Sequence, residues 1–69
     1  MKYDLVGVDG NAHSIMGYVR WAMKNEGYST EDIAKYTKDA MSGDYCHLLA
    51  LSVDMIEEIN ERLERQDWF

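Results

Sequence analysis

Apolar residues recur at intervals of three and four along most of the chain, and each run is bracketed by residues that start or stop helices. Ala12, Ile15, Met16, Val19, Ala22 and Met23 form the first run and predict a helix over about residues 12–26. Asn11 precedes it as an N-cap, whose side-chain oxygen accepts a backbone N–H of the first turn. Gly27 follows where a helix end takes up the left-handed conformation that favours glycine. Ile33, Tyr36, Thr37, Ala40 and Met41 form the second run. Ser29 or Thr30 stands ahead of it as a cap, with Glu31 and Asp32 where the helix dipole favours acids. Ser42-Gly43 breaks this helix and Asp44 is positioned to cap the next. The third run, Tyr45, Leu48/Leu49, Ser52, Met55/Ile56, Ile59 and Leu63, holds one stripe for about five turns and predicts the longest helix. Ser52 with Asp54 behind it is also a capping pattern, so a break near residues 51–53 stays open. Leu51 and Val53 lie off the stripe and widen the apolar surface, as in a helix that is buried on more than one side or touches a second subunit.

Ahead of the helices, Tyr3-Asp4-Leu5-Val6-Gly7-Val8 is apolar and β-branched, then gives way to the turn formers Asp9-Gly10-Asn11. This reads as a short N-terminal β-strand or an extended arm. A lone strand leaves backbone N–H and C=O groups in need of partners. It must either pair with a copy of itself, giving a symmetric dimer, or lie as an arm against the helices. The expected architecture is therefore mostly α: one three-helix domain spanning residues 1–69 with that strand or arm at its start.

At 69 residues, folding hides only about 60% of the surface that the unfolded chain exposes. Small domains usually add disulfides, a metal or a partner subunit. Cys46 is the lone cysteine, so self-association becomes the expected supplement. A content of 46% hydrophobic and 12% aromatic residues without proline is that of a chain that can offset its conformational entropy and fold. The net charge of -6 disfavours direct nucleic-acid binding, which needs Lys and Arg to neutralise phosphates, and favours a basic or neutral partner. The longest apolar run, Leu48 to Leu51, falls far below the roughly 20 residues of a bilayer span. Met1-Lys2-Tyr3-Asp4 lacks the apolar start of a signal peptide, so a reducing cytoplasm is expected.

Candidate chemistry is sparse. The turn at Asp9, Gly10 and Asn11 opens a helix whose free N–H groups can hold an anion. With Tyr18 and Trp21 nearby it makes a candidate small-ligand site, although Asp9 opposes an anion and no phosphate-loop pattern is present; the alternative is a tight turn and cap. His13, Cys46, His47 and nearby acids do not have metal-ligand spacing, because Cys46 and His47 are adjacent and point about 100° apart on a helix. A packed cysteine and surface histidines are expected instead, with no cofactor and no metal. A cysteine nucleophile lacks an orienting acid and an enclosed site, so no enzymatic activity is expected. Asp54, Glu57, Glu58, Glu61 and Glu64 gather along one side of the last helix. They read as a face that mimics nucleic acid, or as a solvated face held by the i,i+4 pairs Glu58–Arg62 and Glu61–Arg65. Tyr18, Trp21, Tyr28, Trp68 and Phe69 exceed what the inner faces account for, and such aromatics are enriched at interfaces. Leu51, Val53, Trp68 and Phe69 are the candidate interface residues. Gly17 sits inside the first helix, where a close helix crossing would explain it.

Val6-Gly7-Val8-Asp9-Gly10-Asn11-Ala12, then Ile15-Met16-Gly17-Tyr18-Val19, then Ser42-Gly43-Asp44-Tyr45 ahead of His47-Leu48-Leu49, resembles a family of short uncharacterised proteins of bacteria, their phages and plasmids. The resemblance covers most of the chain and brings no activity, cofactor or catalytic residue. It implies a small cytoplasmic accessory protein encoded by a phage or mobile element. The reading that follows is a non-enzymatic protein-interaction module, a homo-oligomer, which in a phage setting would inhibit a host protein. The alternatives are a binder of a nucleotide-like ligand and an acidic mimic of nucleic acid.

Overall fold

The computed structural model describes residues 2–66, and three helices account for most of them: α1 (Ala12–Asn25), α2 (Thr30–Ala40) and α3 (Tyr45–Gln66). Each start is capped by the residue the sequence offered. The Asn11 side chain accepts from the Ser14 N–H at 2.8 Å, Ser29 Oγ from the Asp32 N–H at 3.1 Å, and the Asp44 carboxylate from the His47 N–H at 2.9 Å. Gly27 has a φ of 86°. Around it the Gly27 N–H donates to the Lys24 carbonyl and the Tyr28 N–H to the Met23 carbonyl, the paired bonds of a Schellman helix end. Between α2 and α3 the backbone of Gly43 passes so close to His47 that a Cβ there would sit 2.8 Å from the imidazole.

Each helix packs against the other two. Ile15, Met16, Val19, Ala22 and Met23 of α1 meet Tyr36 and Ala40 of α2 and Leu48, Ile56 and Ile59 of α3 in one core. α3 runs unbroken through Ser52. The serine is fully buried, and its hydroxyl lies 2.6 Å from that of Tyr36, so the neighbouring helix satisfies it and no cap forms at that point. Four expectations about the helices are corrected. Met41 is 65% exposed because α2 ends before it. Gly17 faces solvent with nothing within 4 Å of where its Cβ would lie, so it marks no crossing. Cys46 is exposed instead of packed, while His13 and His47 are exposed as expected. Neither Glu58–Arg62 nor Glu61–Arg65 approaches to ion-pair distance among the described residues; the Arg62 guanidinium instead stands 5.2 Å from the centre of the Tyr28 ring.

No strand is present among the described residues, and the arm is the form the N-terminus takes. Several of its backbone groups find partners within the chain. The buried side-chain amide of Asn60 brackets the Tyr3 peptide groups, its Oδ1 accepting from the Tyr3 N–H at 3.1 Å and its Nδ2 donating to the Tyr3 carbonyl at 2.8 Å. The Asp4 N–H donates to the Tyr18 hydroxyl at 2.9 Å, and the Val6 N–H donates to the Asp4 carboxylate at 2.9 Å. The Val8 N–H closes a turn on the Leu5 carbonyl at 3.1 Å. Gly7, third in that turn, has a φ of 91°, the conformation in which a type II turn favours glycine.

Candidate interaction surface

Tyr3 is the anchor that shapes the site. Its ring is buried and packs edge-on against Tyr18 and Trp21, with centroids 6.5 and 5.6 Å away. Its hydroxyl donates to the Glu26 carboxylate and accepts from Asn25 Nδ2 at 2.7 Å. Lys2 adds an ion pair to the same carboxylate at 3.0 Å. The Tyr3 hydroxyl, and after it the Lys2 ammonium, hold the Glu26 carboxyl below the usual glutamate range. Burial pushes the Tyr3 phenol above its usual value because a phenolate would lose its hydration.

Pinned by Tyr3, the arm lies beside α3 and leaves a groove of about 240 Å³ between them. Leu5, Val6, Val53 and Ile56 give it apolar walls, and Asp4 and Glu57 stand at its rim. Val6 is 86% exposed at the second position of its turn, where the fold has no use for a large aliphatic side chain. Val53 and Leu49 are also exposed. With Tyr45, whose hydroxyl donates to the Gly10 carbonyl, they repeat every four residues and so follow one edge of α3. The acids occupy the neighbouring side of α3: Asp54, Glu57, Glu58, Glu61 and Glu64 are all exposed, within about 120° of arc at 100° per residue.

A second concavity of about 400 Å³ opens between α2 and α3 on the other side of the molecule's long helix. Met23, Tyr36, Leu51 and Met55 line its floor, and Asp32, Lys35, Asp39, Glu58 and Arg62 stand around it. The Tyr28 hydroxyl faces Glu58 at 3.4 Å.

The proposed ligand-site residues divide into two groups. Asp9, Gly10 and Asn11 form the turn, where the Gly10 carbonyl and the Asn11 side chain are occupied by Tyr45 and by the cap. Tyr18 and Trp21 pack on Tyr3 farther along α1, their own ring centroids 5.7 Å apart. Among the candidate interface residues, Leu51 lines the α2–α3 cleft and Val53 the arm groove; Trp68 and Phe69 lie outside the described residues. Sequence reading missed Tyr3, Val6 and Asn60. An Asn on the inner stripe of α3, four residues after Ile56 and one after Ile59, was the available signal, since a buried amide must have partners. Among the described residues no three His, Cys, Asp or Glu side chains are grouped to hold a metal ion, and no helix is long and apolar enough to cross a membrane. Comparison with protein-family models, curated proteins and solved structures gives no significant match in any of the three.

Proposed function

We propose that this chain is a non-enzymatic protein-interaction module whose contact surface is the face made by the N-terminal arm and α3. The observation that carries this reading is the exposure of Val6 and Val53 on the two walls of a preformed groove, with Leu49 exposed one turn before Val53 and an acid on each wall, Asp4 and Glu57. Scattered surface aliphatics are ordinary, whereas a contiguous set gathered around a groove is typical of a contact site. A photo-crosslinking amino acid placed at Val53, and separately at exposed Lys38 on α2, tests it in the producing cells. The expected result is discrete protein adducts from position 53 and none from position 38. Equal adduct patterns, or none from position 53, would overturn the assignment. Adducts of twice the chain mass would identify the homo-oligomer, and adducts with another protein would fit inhibition of a host component.

A second reading, a small-ligand site, is favoured by the α2–α3 cleft, whose size falls in the range of small-molecule pockets, about 300–1,000 Å³. A nucleotide or metabolite panel that raises the melting temperature would support it, because a ligand bound to the folded state stabilises it by mass action. A panel that leaves the melting temperature unchanged counts against it.

A further inference from the structure

We infer that the groove between the arm and α3 seats a basic amphipathic helix from a partner protein. Its apolar side chains would enter between Val6 and Val53, and its Lys or Arg residues would meet Asp4 and Glu57. The inference rests on the interaction-module reading and names the occupant.

Charge selects the sign of the partner. The groove is lined by two acids and no base, and Glu57 continues into the acidic side of α3. Lys2, the basic residue nearest in sequence to the arm's walls, is drawn away to Glu26. A second copy of the chain would bring acid against acid in this groove, with -6 on each molecule, and like charges juxtaposed across an interface are unfavourable.

Backbone accounting selects the form. An added β-strand needs a row of free donors and acceptors along an extended edge, but the N–H groups of Tyr3, Asp4, Val6 and Val8 are already bonded within the chain, and the turn closed around Gly7, at a φ of 91°, breaks the extended backbone after Asp4. The occupant must therefore arrive with its own backbone bonds made, as a helix does. Tyr45, Leu49 and Val53 rise about 6 Å per step of four residues, the spacing at which a helix laid alongside presents its own anchors. The Asn60 clamp on Tyr3 fixes the arm before binding, so little ordering cost remains to be met on association.

Fluorescence anisotropy with a labelled synthetic Leu/Lys amphipathic helix of about 18 residues, five turns, tests the inference beside a Leu/Glu helix of the same apolar face. The Lys peptide is expected to bind and the Glu peptide not to. Binding should weaken several-fold between about 50 mM and about 500 mM salt as screening shortens the reach of the charges. The variant Val6→Ser/Val53→Ser, altered only at exposed positions, should weaken binding by about tenfold, while Leu51→Ser in the opposite cleft leaves it unchanged. Equal binding of both peptides would overturn the charge argument. Loss with Leu51→Ser alone would place the peptide in the α2–α3 cleft and overturn the groove. A chain that ignores both peptides overturns the helix occupant; crosslinks from position 53 would then still stand for the interaction module, and their absence would remove both.

Discussion

Replacing Asn60 by Ala cuts the link between α3 and the arm, and its cost can be bounded from the structure. Asn60 is buried and makes both bonds to the Tyr3 peptide groups. If the arm stays in place, a donor and an acceptor are left dry, at about 1–3 kcal/mol each. If the arm peels into water, those groups are hydrated, but the burial of the Tyr3 ring is lost, about 1.5–3 kcal/mol, together with the bonds of its hydroxyl. The variant takes the cheaper route, and Ala returns about 0.5 kcal/mol of helix propensity. The net loss is about 2–3 kcal/mol, a large part of the roughly 3–10 kcal/mol expected for 69 residues at ~0.05–0.15 kcal/mol per residue. Urea unfolding followed by circular dichroism should show the midpoint falling. If the arm is released, the slope of stability against urea falls as well, because less surface remains to be exposed. Glu61→Ala, on the exposed side of the same helix, should stay within about 0.5 kcal/mol. An Asn60→Ala chain as stable as the parent, with unchanged slope, would refute the clamp.

The other predictions concern single contacts. Gly17→Ala should stabilise the chain by about 1 kcal/mol, since the site is mid-helix and nothing lies within 4 Å of the new methyl; Gly27→Ala, at a φ of 86°, should destabilise it by about 1 kcal/mol, both read from urea midpoints. Ser52→Ala and Tyr36→Phe should each cost about 1–3 kcal/mol by stranding a buried hydroxyl or losing its bond, and the double variant should cost less than the two together, as a double-mutant cycle measures. Stability should vary with pH at both ends. The lowered Glu26 carboxyl contributes above the ordinary glutamate range, and this is lost as pH falls through its folded value, so Glu26→Gln should flatten the acid limb of a urea-midpoint profile. Tyr3 and Tyr36, both raised chiefly by burial, contribute fully below about pH 10 and lose that contribution as pH rises through their folded values. Stability should therefore decline at the alkaline end, less steeply in Tyr36→Phe.

What the sequence made legible was local. Asn11, Ser29, Asp44 and Gly27 act within one turn of themselves, and the helix boundaries follow from them to within a residue or so. What it hid were contacts between positions far apart in the chain. Ser52 lay on the inner stripe of one long helix but left a break open, because a serine ahead of an acid can also cap; its actual partner is Tyr36, sixteen residues earlier. Tyr3-Asp4-Leu5-Val6-Gly7-Val8 fitted a strand or an arm because it is apolar and β-branched, and the arm is fixed by Asn60, 57 residues from Tyr3, which takes both Tyr3 peptide groups. Arg62 had a suitable glutamate one turn back and is placed over Tyr28, which reaches it from the α1–α2 connection. At the candidate surface, Val53 stood out for lying off the stripe, whereas Val6 did not, since its exposure depends on a turn closed by Gly7. The acidic side of α3 was legible because helical spacing alone assembles it.

Whether the arm and α3 together form the contact surface is decided by affinity capture with the parent chain and two variants, Val6→Ser/Val53→Ser and Leu51→Ser, each verified as folded by circular dichroism. A protein retained by the parent should be retained by Leu51→Ser and lost from Val6→Ser/Val53→Ser. Retention by Val6→Ser/Val53→Ser together with loss from Leu51→Ser would contradict it and move the surface to the α2–α3 cleft.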